Sequence, residues 1–330
     1  MALCLWRPIS ATMSNRFVRT GGLLFAAWCT VVSAQQSGLP GEETPAQLLT
    51  RMSNSVHYLD YEGSIVFLRE GVMDAVRLSH TEQDGYEREH LIALTGAAHQ
   101  IVRDNYTVTR FQPGRSVAAV EDRGLDALGS TLLSFDPERV ARSYDFEERE
   151  AERVAGRITR AVAIIPRDDL RYGYLLHIDA KYALPLKFDV LDGDEPVSQL
   201  MFTDIRIRHE SPEAILAATE QNSGLVPVPR EPYSGDWRFD QLPPGFELEF
   251  AEAKDGTEHF VFSDGMATMS VYIENDRSAG LDGQQRLGAF GAYGGEVAGH
   301  QVSVVGEMPL DSLRMVWSGV RRGEGVTSGG

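Results

Sequence analysis

Eight histidines, at positions 57, 80, 90, 99, 177, 209, 259 and 300, are the first side chains in this 330-residue chain that could do chemistry. No two stand four residues apart, the spacing that turns two imidazoles toward one zinc ion, and no His-x-x-Glu-His order occurs. Glu89-His90 reads as a pair on the surface of a strand. No Gly-x-Ser-x-Gly elbow presents a nucleophilic serine. Asp192-Gly193-Asp194 begins like a calcium loop but lacks the third ligand, the later glycine and the closing glutamate, so it reads as a turn. The stretch Gly288-Ala-Phe-Gly291-Ala-Tyr-Gly294-Gly295 has the composition of a phosphate loop without the strand–loop–helix setting such a loop needs, and is expected to be a flexible loop between strands. The acidic run Asp145–Glu152 is broken by Phe146 and Arg149, as a solvated strand edge would be. What remains is binding: no catalytic residue, metal or cofactor is expected.

The elements that would position a binding surface are mostly strands. Thr44 and Pro45 suit the start of a helix whose face carries Leu48, Leu49, Met52 and Val56. Short strands are then expected at 61–69, 75–80, 87–94, 100–111 and 117–120, joined by turns too tight for crossover helices, which indicates an antiparallel meander. Helical intervals at 125–133 and 137–143 precede strands at 144–154, 157–165, 172–178, 186–191 and 197–208, with Asp192–Pro196 turning a hairpin between the last two. Alternation places Tyr61, Gly63, Ile65 and Phe67 on one face, and likewise Tyr172, Tyr174, Leu176 and Ile178, and Leu186, Phe188 and Val190. Few helices are left to cover this aromatic face. The sheet therefore either curls around its own core or forms a cleft for an apolar guest, with Tyr61, Ile65, Phe67, Tyr172, Tyr174, Leu176 and Phe188 as candidate lining.

The expected organisation is a first domain over 35–218, a Pro-rich linker over 219–235 after a helix-like stretch at 212–218, a smaller α+β domain over 236–320, and a disordered tail from 321. In the smaller domain, strands are expected at 247–250, 258–263, 268–274 and 301–308, closed by a helix over 309–318 with Leu310, Leu313 and Val316 or Trp317 inward.

Upstream, Arg16 and Arg19 precede an apolar run from Gly21 to Val32 and the small residues Ser33-Ala34, which reads as a signal peptide starting at Met13 and cleaved after Ala34. The apolar run is too short for the ~20 residues that span a bilayer, and no other run approaches that length, so a soluble exported product is expected. Removing 1–34 takes Arg7, Arg16 and Arg19 from the 31 basic residues and none from the 48 acidic ones, which moves the net charge from −17 to −20. Cys4 and Cys29 leave with it, so neither disulfides nor thiolate ligands are expected afterwards. A strongly acidic chain argues against nucleic acid as a partner.

The most specific text is Phe262-Ser-Asp-Gly-Met-Ala-Thr-Met-Ser-Val-Tyr-Ile273 with Gly299-His-Gln-Val-Ser-Val-Val-Gly-Glu-Met-Pro309. Leu48-Leu49-Thr-Arg-Met-Ser, Tyr61-Glu-Gly-Ser-Ile-Val-Phe67, Glu89-His-Leu-Ile-Ala-Leu-Thr-Gly96, Arg171-Tyr-Gly-Tyr174 and Leu184-Pro-Leu-Lys-Phe-Asp189 accompany it. In these phrases and their order the chain resembles the MucB/RseB family over essentially its whole length after the signal peptide. The resemblance implies a periplasmic negative regulator of an envelope-stress sigma factor. Such a protein would bind the periplasmic region of a single-span membrane anti-sigma factor, shield it from proteolysis, and be released by acyl chains or lipopolysaccharide fragments. It also implies an α+β fold with an N-terminal curved antiparallel β half-barrel and covering helices, similar to the lipoprotein-carrier fold. A periplasmic lipid or lipoprotein carrier is the alternative. By the same resemblance the anti-sigma contact would use basic residues of the second domain, for which Arg277, Arg286, Arg321 and Arg322 are the candidates. The stretch after Tyr293 departs from that pattern, with Gly-Gly and Glu296 in place of a basic pair. The oligomeric state is left open, a homodimer included.

Overall fold

The computed structural model describes residues 43–83, 85–104, 107–112, 115–118, 136–208, 233, 235–275 and 280–323. The signal peptide, the intervals 125–133 and 212–218, all of the linker but Tyr233 and Gly235, Arg277 and the tail beyond 323 lie outside these residues.

Helix α1 (Pro45–Tyr58) opens the described chain, with a capping box between Thr44 and Gln47 and proline in its first turn. Leu48, Leu49, Met52 and Val56 are its buried face, as the spacing predicts. Its start is clamped by Glu43, whose carboxylate accepts from Arg51 Nε (2.7 Å) and Arg160 Nη1 (2.9 Å).

A meander follows: β1 (Tyr61–Arg69), β2 (Val72–Gln83), β3 (Tyr86–Ala93), β4 (Gln100–Asp104), β5 (Thr107–Gln112) and β6 (Arg115–Ala118). The short helix α2 (Pro137–Val140) leads into β7 (Tyr144–Arg149), β8 (Arg153–Val154), β9 (Arg157–Pro166), β10 (Gly173–Asp179), β11 (Pro185–Asp192) and β12 (Glu195–Ile207). These twelve make one antiparallel sheet in the order β6-β5-β4-β3-β2-β1-β12-β11-β10-β9-β7, with β8 paired to β9. Two runs expected as single strands are each divided. Gln100–Phe111 is the hairpin β4–β5, and Tyr144–Val154 is β7 followed by β8.

Strand β12 returns to pair with β1, and the crossing is close. A Cβ at Gly63 would strike the Asp204 carbonyl oxygen, beside a register shift at Ser64/Ile65. Helix α1 touches both β2 and β7, which lie far apart in the strand order, so the sheet is wrapped around the helix. The aromatic face and the apolar face of α1 belong to one core.

The second sheet has the order β14-β15-β16-β19-β18-β17, built from β14 (Glu247–Lys254), β15 (Thr257–Ser263), β16 (Thr268–Glu274), β17 (Gly283–Leu287), β18 (Phe290–Val297) and β19 (His300–Glu307). Helix α3 (Leu310–Ser318) packs on β18 and β19 and buries Leu313 and Val316. The final strand β20 (Val320–Arg322) pairs with β13 (Trp237–Phe239), so Arg321 and Arg322 lie in a strand rather than in the expected tail.

The glycine-rich stretch expected as a flexible loop is instead the turn and second strand of the β17–β18 hairpin. Its glycines admit the helix: a Cβ at Gly291 would lie 2.8 Å from Leu313 Cδ1, and one at Gly295 2.9 Å from Trp317 Cζ2. The described residues, from Glu43 to Gly323, fall in one compact unit.

Candidate functional site

The seven cleft candidates share one continuous core. Tyr61, Ile65 and Phe67 stand on β1, Tyr172 just before β10, Tyr174 and Leu176 on β10, and Phe188 on β11. Strand register explains the grouping: Phe67, Leu200, Phe188, Leu176 and Val162 are successive cross-strand partners over β1, β12, β11, β10 and β9. Tyr61, at 6 % exposure, is the most exposed of the seven. The buried face of α1, at Leu48, Leu49, Met52 and Val56, belongs to the same core.

Burial pushes the hydroxyls of Tyr61, Tyr144 and Tyr174 well above the ordinary tyrosine range, and that of Tyr172 up to about 12. All four stay neutral at physiological pH. The Tyr174 hydroxyl is buried beside that of Tyr144, whose ring centroid lies 6.2 Å from its own.

The arginine candidates occupy separate elements. Arg286 on β17 donates from Nε to the Gly288 carbonyl (2.8 Å) and approaches Asp192 at 3.9 Å. It lines a crevice of about 300 Å³ whose opposite wall is the hairpin ends of the first sheet, at Leu68, Glu70, Pro196 and Val197. Arg321 turns back onto the Ser318 and Val320 carbonyls (2.7 and 2.9 Å). The Arg322 guanidinium lies 5.8 Å from the centroid of the Trp237 ring. Arg277 is outside the described residues.

A second constellation has no signal in residue type or spacing. Arg171, in the turn before β10, and Asp264, in the turn after β15, form an ion pair with both side chains fully buried. The Tyr144 hydroxyl donates to the same Asp264 oxygen at 3.3 Å. The turn itself is legible, because Ser-Asp-Gly after an aromatic strand predicts an Asx turn, and Asp264 Oδ1 accepts from the Met266 and Ala267 amides (2.9 and 2.8 Å). Its partner, 93 residues away in the chain, is not. Among the described residues no group of three or more His, Cys, Asp or Glu side chains could hold a metal ion, and no helix is long and apolar enough to cross a membrane.

Comparison with known proteins gives this geometry a context. A family profile described as the MucB/RseB N-terminal domain matches residues 44–221, and one described as the MucB/RseB C-terminal domain matches 231–321. The Haemophilus influenzae sigma-E factor regulatory protein RseB is 27% identical over 293 residues, covering 83% of this chain and 90% of that protein. The Pseudomonas aeruginosa sigma factor AlgU regulatory protein MucB is 29% identical over 287 residues, covering 83% and 89%. Among solved structures, MucB in complex with the periplasmic part of MucA superposes with a TM-score of 0.62 at 29% identity, covering 85% of this chain and 100% of that one. The complex of Pseudomonas aeruginosa MucA and MucB gives 0.64 at 27% identity, covering 85% and 99%.

Proposed function

The chain belongs to the MucB/RseB family, and from that premise we propose that it is an exported, non-catalytic regulator of an envelope-stress sigma factor. In this reading it binds the periplasmic region of a membrane-anchored anti-sigma factor and keeps that region from the protease that would begin its degradation. One observation carries the reading: a relative solved with the periplasmic part of its partner, MucA, matches 85% of this chain and its own full length. The likeness spans both domains rather than one, which supports the reading.

Release would come from an apolar ligand, an acyl chain or a lipopolysaccharide fragment, accepted on the aromatic inner face of the first sheet. The linkage is simple. Such a ligand relieves inhibition only if it binds the free protein better than the anti-sigma-bound form. Calorimetric titration with the periplasmic segment of the anti-sigma factor encoded in the same genome tests the main reading. Binding at about 10 µM or tighter is expected, equivalent to roughly 7 kcal/mol, and no heat at tens of micromolar would sink it.

The same apolar inner face favours a second reading as a lipid or lipoprotein carrier. That reading requires transfer of an acylated cargo to acceptor vesicles, which a regulator would not perform.

A further inference from the structure

Two domains joined by a Pro-rich segment are held within a limited separation, yet nothing in a tether fixes their orientation, and relative motion is the ordinary expectation. Here the contact between them is built around charge. Arg171 and Asp264 are both fully buried, one in each family-defined domain. The Arg171 guanidinium lies between the Tyr144 ring of the first domain (5.6 Å) and the Phe246 ring of the second (5.5 Å), and donates to the Pro244 carbonyl at 2.7 Å. Beside it Met266 enters the core of the first domain, at 2% exposure.

Each half of this contact is prepared by its own domain. Asp168 holds Arg171 through two bonds of 3.0 Å, from Nε and Nη2, which fixes the direction of the free Nη1. The Asx turn fixes Asp264, leaving Oδ2 for Arg171 and Tyr144. If the domains part, Arg171 keeps Asp168 and Asp264 keeps its turn, and water supplies the rest. Undocking therefore strands neither Arg171 nor Asp264, whereas a docking that buried either one away from the other would leave its charge without a partner.

We propose that Arg171, Asp264 and Tyr144 form a reversible interdomain latch, which admits a single docked arrangement of the two domains and lets them separate as folded bodies when it opens. The latch, rather than the tether, then sets how the two domains face a partner.

Spin labels report it directly. Cys4 and Cys29 are replaced by serine, and cysteines are placed at the exposed positions Ile158 in the first domain and Asp311 in the second. Pulsed electron resonance should give one narrow distance distribution for the otherwise wild-type protein. Asp264→Asn keeps the turn but meets the guanidinium with an amide, and Arg171→Met removes the cation. Each should broaden the distribution and raise the separated fraction roughly ten-fold or more, with circular dichroism unchanged. Distributions as narrow as wild type in both variants would overturn the proposal. Tyr144→Phe, which removes one hydroxyl and no charge, carries the same test if either charge variant fails to fold; partial broadening is expected, and none would overturn it.

Discussion

Glu87 and Glu307 show how differently this fold treats two carboxyl groups. Burial alone would raise Glu87, but His57 Nδ1 donates to it at 2.9 Å, the His80 ring stands 4.0 Å away, and together they bring it down to about 2. An unfolded carboxylate takes its proton near 4.5, so this stabilisation is complete above that pH and is lost as the pH falls to about 2. Glu87→Gln should lower the unfolding free energy by about 1–2 kcal/mol at pH 5, after allowance for its partial exposure, and by much less near pH 2. Glu307, at the end of β19, is pushed up to about 7 by burial, against the pull of Arg69. Its effect runs the other way: the folded state is favoured below pH 4.5 and loses that advantage as the pH rises through 7. Glu307→Gln should therefore stabilise by about 1–2 kcal/mol at pH 8 and leave stability unchanged at pH 4. Urea titrations of both variants at the two ends of their ranges check the opposite signs.

At the scale of elements, the alternation in β1 was legible because each inward residue carries its own bulk: Tyr61, Ile65 and Phe67 are all buried where the period of two puts them. The β17–β18 hairpin was not legible, because its signal is inverted. Gly291 and Gly295 face α3 and are small so that the helix can lie close, and a strand built that way has the composition of a loop. Gly294 is stricter still, since a Cβ there would stand 2.5 Å from the Leu281 carbonyl oxygen, a backbone atom with no rotamer to change. Gly294→Ala should cost about 2–3 kcal/mol in thermal or urea unfolding. Gly291→Ala meets only side-chain tips and the more distant Met308 carbonyl, and should cost less than half as much. Similar costs at both positions would mean that the helix, and not the neighbouring backbone, is the rigid party. The split of Gln100–Phe111 into β4 and β5 has its mark in the polar run Arg103-Asp104-Asn105, whose Asp-Asn pair is a turn signal without the glycine or proline that punctuates the other turns.

For the whole molecule, fold class and family were legible because local patterns and long phrases carry them. The seam between the domains was not, since it depends on residues that are neighbours only after both domains have folded. Two of the phrases that carry the family resemblance, Arg171-Tyr-Gly-Tyr174 and Phe262-Ser-Asp-Gly-Met266, prove to meet there. That meeting has a consequence for partner binding. A partner that touches both domains binds only the docked form, so its apparent dissociation constant is the intrinsic one divided by the docked fraction. If Asp264→Asn reduces that fraction to about a tenth, affinity for the anti-sigma segment should fall about ten-fold, or roughly 1.4 kcal/mol. The loss should appear as an unfavourable change in binding without any change in the stability of either domain alone. A partner confined to one domain would be indifferent to the substitution. Calorimetry on wild type and Asp264→Asn therefore separates the two modes of capture: a ten-fold loss places the partner across the seam, and equal affinities place it on a single domain.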